Sequence, residues 1–254
     1  MYDLQRASMW KRVSSALFDF IMLTVTVVGA ALLLSWILGY DAKIDEFEAY
    51  TAEYELNYGV DFDIAYEDYT ALDEAQRKHY DAAMEAFGKD IRVGTVYTLI
   101  FNLTLVIISI SILLAYMLLE FVVPMLFGNG QTLGKKIFGI GVMREDGVKV
   151  TSLLMFVRTV LGKYTLETMV PVLIIIMIFF DLTGLVGTLV IIALLILQIC
   201  MFIFTHAHTM LHDKLAHTVT VDIASQMIFE TYETMLEHKK KVHADIVADT
   251  ADKY

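Results

Sequence analysis

WKRVSSALFDFIMLTVTVVGAALLLSWIL, running from Trp10 to Leu38, carries a single formally charged residue, Asp19, from Ala16 onward. At a helical rise of 1.5 Å per residue that part is about 35 Å long, which is enough to cross the hydrocarbon core of a bilayer. It reads as a membrane span that stays in place, because it is long for a cleavable signal and no small-residue cleavage site follows. Arg12, Ser15, Asp19, Met22, Thr26 and Gly29 recur at alternating spacings of three and four, on one helix face. Leu17, Ile21, Val25, Val28 and Leu32 form an opposite, wholly apolar face suited to lipid. A carboxylate at the centre of a span costs about 2.5–3.5 kcal/mol on insertion scales, so Asp19 requires a partner or water. Two roles fit: an acid near the interface that pairs with Arg12 two turns back, or a functional acid.

Composition extends this reading to the whole chain. With 254 residues, 57% hydrophobic content and a mean hydropathy of +0.60, several spans are expected. The fold class is an all-α polytopic membrane protein, a four-span helical bundle with a short third span. The one cysteine, Cys200, excludes an intrachain disulfide. The formal charge of -11 is unevenly placed: Asp41 to Arg92 holds 15 acids against 5 bases. Residues 39–92, after the N-terminus and first span of 1–38, therefore read as an external acidic loop. Its spaced aromatics and lack of proline predict two helices with a break near Gly59. Asp61 and Asp63 resemble the start of a calcium loop, but Ala65 and Tyr66 stand where a ligand and a glycine are needed.

Residues 93–127 hold the second span, from about Thr95 to Leu119, with a polar stripe of Thr98, Asn102, Ser109, Tyr116 and Glu120. The stripe suits helix packing through hydrogen bonds, with Asn102 and Ser109 as ion ligands the sharper alternative. Residues 128–164 carry bases at 135, 136, 144, 149, 158 and 163 against acids at 145 and 146, which marks a cytoplasmic loop. Within it, IGVMREDGVKVT alternates about a turn like a small hairpin, and Ser152 to Lys163 resembles an interfacial helix. Residues 165–206 hold a short third span, Met169 to Phe180, and a fourth, Val186 to Thr205. Four spans put both termini of the chain, including the tail 207–254 with its helical periodicity from Met227 to Leu236, in the cytoplasm.

Arg12 and Asp19 in WKRVSSALFDF, Asp213 in LHDKLAHTVTV, the segment GQTLGKKIFGIGVMREDG and Arg158 within LLMFVRTVL occur in an order that resembles the RDD family of membrane proteins. The resemblance covers most of the chain except the acidic loop and the tail. It departs at His217, where members often have glycine. It implies a membrane protein for which exchange of protons and cations has been proposed in some members. The candidate ion or proton site is then Arg12, Ser15, Asp19, Asn102, Arg158, His212 and Asp213, with Arg12, Asp19 and Asp213 meeting toward the cytoplasmic surface rather than at the midplane.

His208, His212, Asp213 and His217 have legitimate metal spacing and form a weaker alternative. No cofactor is implied. Nucleophile triads and phosphate loops are absent and the bases follow from topology, so neither an enzyme nor a nucleic-acid binder is expected. Two functions remain open: a small secondary transporter, or antiporter, exchanging protons for monovalent cations, and a scaffold whose Arg/Asp cluster locks the helices. Under either, the bilayer is the first partner and a second copy or another membrane protein a further candidate; in the scaffold reading the loop and tail bind partner proteins.

Overall fold

The computed structural model describes residues 7–204 and 210–251. Among them, four helices are long and apolar enough to cross a membrane: Met9–Leu38, Ile91–Phe127, Ser152–Phe179 and Gly184–Phe204. These are the first to fourth spans below. The chain divides into two compact units, one of residues 28–111 and one of residues 1–27 with 112–254. On the first span, Leu17, Ile21, Val25, Val28 and Leu32 are all exposed, while Arg12 and Ser15 are buried. The two faces expected from the spacing are therefore present.

In the unit of residues 28–111, Gly39 adopts a left-handed conformation (φ +65°) and separates the first span from helix Tyr40–Tyr58. Gly59 (φ +63°) ends that helix, at the expected break. After it come two helices rather than one. Tyr66–Ala71 is short, and Glu74–Lys89 begins at Asp73, whose carboxylate accepts from the Gln76 N–H while the Gln76 side chain accepts from the Asp73 N–H. Phe87 packs at 5.8 Å from Phe47, 5.4 Å from Tyr54 and 5.3 Å from Phe62, so the spaced aromatics form this unit's core. Asp61 accepts from the Asp63 N–H as a simple turn.

The other unit contains a two-stranded antiparallel sheet of β1, Ile140–Arg144, and β2, Thr218–Asp222, in register Ile140↔Asp222 through Arg144↔Thr218. This corrects the local hairpin. The turn at Glu145–Gly147 forms, but only the single bridge Met143↔Lys149 crosses it, and β1 takes its main partner from far along the chain. Both strands are almost wholly buried, with Met143, Val219 and Val221 packed together and Val142 against Val150 and Met155. A hairpin exposed on one side could not bury both faces. The tail is also corrected. Phe229 accepts from the Lys149 N–H and donates to the Gly147 carbonyl, so helix begins only at Tyr232, in Tyr232–Ala251.

Ser152 to Lys163 is not a separate interfacial helix but the start of the third span, which runs unbroken to Phe179. Inside it, Val157–Met169 is wound as a π-helix, and the second span has the same winding at Met117–Val122. The chain's 2 prolines, Pro124 and Pro171, lie just after these two segments. Proline lacks an N–H and its ring clashes with the carbonyl four residues back, which accounts for a wider winding there.

Candidate functional site

The first span brings Arg12, Ser15 and Asp19 to one side of a cavity of about 540 Å³, which also touches Glu120, Lys135, Arg158, Lys163, Glu167, His212 and Asp213. Asp19 does not pair with Arg12 among the described residues. Its carboxylate accepts from the Thr132 hydroxyl at 2.5 Å, the Gly134 N–H at 2.8 Å and the Ser15 hydroxyl at 3.4 Å. Thr132 caps the short helix Leu133–Ile137, so Asp19 sits against the free N–H groups and positive end of that helix. A Cβ on Gly134 would stand 2.5 Å from the Ser15 carbonyl and 2.9 Å from Asp19 Oδ1, so glycine is required for this approach.

Asp213 is the second hub. Arg158 donates to its Oδ1 through Nε at 3.0 Å and Nη2 at 2.9 Å, Thr218 donates at 3.3 Å, and Arg12 Nη2 lies 3.7 Å from Oδ2. Burial works to raise the Asp213 pKa, but Arg158, His212 and Arg12 together more than offset it and hold the carboxyl below its ordinary range. Beside it, the His212 ring Nδ1 lies 2.7 Å from Glu167 Oε2, and the His212 N–H donates to Glu167 at 2.9 Å. Burial depresses the His212 pKa despite Asp213 and Glu167, which favours a neutral ring. Gly162 allows the helix Leu211–Leu215 to reach the third span: a Cβ there would stand 2.6 Å from the His212 Cβ.

The third hub is Glu120, on the π-wound end of the second span, whose Oε1 lies 2.6 Å from Lys163 Nζ. Its Oε2 is buried with no hydrogen-bond partner among the described residues, and Arg158 Nη1 is in the same state. Lys135 is 8% exposed and lines the cavity. No carboxylate among the described residues comes within 4.0 Å of its ammonium. Burial, Lys163 and Arg158 pull its pKa down to about 7 against the opposing pull of Glu120 and Asp19. With a neutral His212, the lining carries four cations (Arg12, Lys135, Arg158, Lys163) and four anions (Asp19, Glu120, Glu167, Asp213). Charges taken out of water are tolerated only when compensated in this way.

Of the expected site residues, Arg12, Ser15, Asp19, Arg158, His212 and Asp213 come together around this cavity. Asn102 belongs to the other unit, where it is exposed. Of the metal alternative, His208 lies outside the described residues, and His217 is exposed with its Nδ1 3.9 Å from Glu145. Among the described residues no group of three His, Cys, Asp or Glu side chains is placed to hold a metal. His217 has φ +49°, the left-handed conformation in which glycine is favoured, which gives the physical sense of the glycine often found there.

Sequence reasoning passed over Lys135 and Lys163 by reading them as loop charges set by topology. Glu120 was visible as the end of a polar stripe, and Glu167 as the lone acid of the third span.

Four apolar helices and a buried charge cluster joined across the chain define a multi-pass integral membrane protein. The chain belongs to the RDD family, whose characteristic pattern matches residues 6–217 and so takes in Arg12, Asp19 and Asp213. No curated protein and no solved structure matches it.

Proposed function

We propose that this protein is a non-enzymatic secondary transporter that exchanges protons for monovalent cations, with both termini in the cytoplasm, and that Lys135 rather than Asp19 carries the proton. The observation that carries this reading is a buried ammonium without an ion-pair partner, in a cavity whose formal charge is balanced only while that ammonium keeps its proton. Loss of the proton leaves one uncompensated negative charge. A sodium or potassium ion restores the balance, with the unpartnered Glu120 Oε2 as its anchoring oxygen. The ammonium and the bound cation repel each other, so each weakens the other's binding equally, which is the coupling that exchange requires. The external position of the acidic loop and the inside position of the tail follow from the charge asymmetry of the loops.

The scaffold reading is favoured by a different observation, the complete engagement of Asp19 by three donors. In this account Asp19, Arg12 and Asp213 hold the helices while Lys135 and Glu120 exchange.

Purified protein in liposomes with an imposed pH gradient should show proton flux on addition of sodium or potassium, and Lys135→Gln should abolish it with the fold intact. Flux retained in Lys135→Gln but lost in folded Asp19→Asn would return the carrier role to Asp19. Absence of cation-dependent flux in the wild type would leave the scaffold.

A further inference from the structure

The Lys135 ammonium has no ion-pair partner within 4.0 Å among the described residues, and two fully buried polar atoms of residues lining the same cavity, Arg158 Nη1 and Glu120 Oε2, have no hydrogen-bond partner among them. The Lys135 ammonium and Arg158 Nη1 donate and are cationic, and Glu120 Oε2 accepts and is anionic. A buried polar group left unsatisfied keeps its full desolvation penalty, which is larger when the group is charged, so the site is incomplete without a ligand that brings both signs of charge. The remaining walls are apolar, with Leu17, Phe20 and Leu23 from the first span and Phe202 from the fourth. Leu17 and Phe20 are also 60% and 64% exposed, and Leu17 belongs to the face suited to lipid. The cavity therefore joins a charged interior to a lipid-contacting wall near the end of a span.

We infer that this cavity binds the headgroup of a zwitterionic glycerophospholipid bearing a primary ammonium, entering sideways from the bilayer. Its phosphodiester accepts from Lys135 and Arg158 Nη1, its ammonium donates to Glu120 Oε2, and the glycerol and first methylenes of the chains lie along Leu17 and Phe20. The charge balance selects this class. Four cations and four anions already line the site, so a headgroup of zero net charge leaves the sum unchanged, whereas an anionic lipid adds one uncompensated charge. A choline headgroup has the same net charge but no N–H to give to Glu120. The inference does not depend on proton exchange, and a lipid seated here would compete with a cation for Glu120.

The test is lipid binding to the purified full-length protein by native mass spectrometry, with phosphatidylethanolamine, phosphatidylcholine and phosphatidylglycerol as probes. One charge-assisted hydrogen bond corresponds to about a tenfold preference, so phosphatidylethanolamine should bind about tenfold more tightly than phosphatidylcholine. Lys135→Gln should weaken all three lipids, Glu120→Gln should remove the preference of ethanolamine over choline, and Phe20→Trp should weaken all three by filling the wall. Because Glu120→Gln also strips Lys163 of its partner, its fold is checked by thermal unfolding. If it does not fold, the order of lipids in the wild type and the Lys135→Gln loss decide. Phosphatidylglycerol binding as tightly as phosphatidylethanolamine, or lipid binding unchanged by Lys135→Gln, would overturn the proposal. Soluble glycerophosphoethanolamine should fail to displace the lipid at equal concentration. If it competes equally, the site takes a small zwitterion and the lipid assignment is wrong.

Discussion

In the unit of residues 28–111, Lys78 and Glu74 pair one helical turn apart with 75% and 86% of their side chains exposed. Arg158 and Asp213 pair across 55 residues of sequence with 2% of each exposed. Each pair joins one base to one acid, and the environments differ. In water a pair gains little, since solvent already stabilises each charge and side-chain entropy opposes the contact. Out of water, removing one partner strands the other. The acidic unit can therefore vary its charges freely around an aromatic core, whereas each charge of the cavity constrains several others.

The largest effect should come from Asp213→Ala, which strips Arg158 of its carboxylate and removes the carboxylate 3.7 Å from Arg12. Loss of a partner from a buried pair costs about 3–5 kcal/mol, so unfolding in detergent should shift strongly or the protein should fail to fold. Glu74→Ala in the acidic unit should give no measurable shift. Equal effects at the two sites would erase the contrast.

Gly162→Ala comes next, because its methyl must displace the His212 Cβ or the backbone of the helix that carries it. Overpacking of this kind costs about 1–3 kcal/mol, and thermal unfolding should report it. Gly88→Ala, where nothing lies within 4 Å, should be neutral or mildly stabilising.

A smaller effect of opposite sense sharpens the comparison. Lys135 has its pKa lowered to about 7 in the folded chain, so burial of its ammonium opposes folding when it is protonated. Between about pH 7 and the ordinary lysine value near 10.4 the unfolded chain binds more protons, and stability rises with pH. Lys135→Met should therefore be more stable than the wild type below pH 7, with the advantage shrinking as pH rises. Asp213 gives the opposite signature. Its depressed pKa contributes stability that is complete above the ordinary carboxylate value near 3.9 and is lost as pH falls below it. A wild-type curve flat across both windows would contradict both assignments.

The helical parts of this fold were legible because periodicity is local. Leu17 to Leu32 recur on one face whatever the rest of the chain does, and Gly59 breaks a helix through its own backbone. What stayed hidden depends on distant partners. Asp19 has Arg12 two turns away on its own helix, but two of its three donors, Thr132 and Gly134, lie 113 and 115 residues off. TVTVD, Thr218 to Asp222, is too short to announce itself as a strand until Ile140–Arg144 is beside it. Lys135 and Lys163 look in sequence like any basic residues flanking spans. Only packing separates a lysine that sets topology from one sealed in a cavity.

The most direct test of the exchanging group needs no membrane. Protein in detergent and weak buffer near pH 7 should release protons when sodium or potassium is added, because a cation at Glu120 expels the proton of Lys135. Lys135→Gln of verified fold should release none. No release from the wild type, or an equal release from Lys135→Gln, would contradict the account.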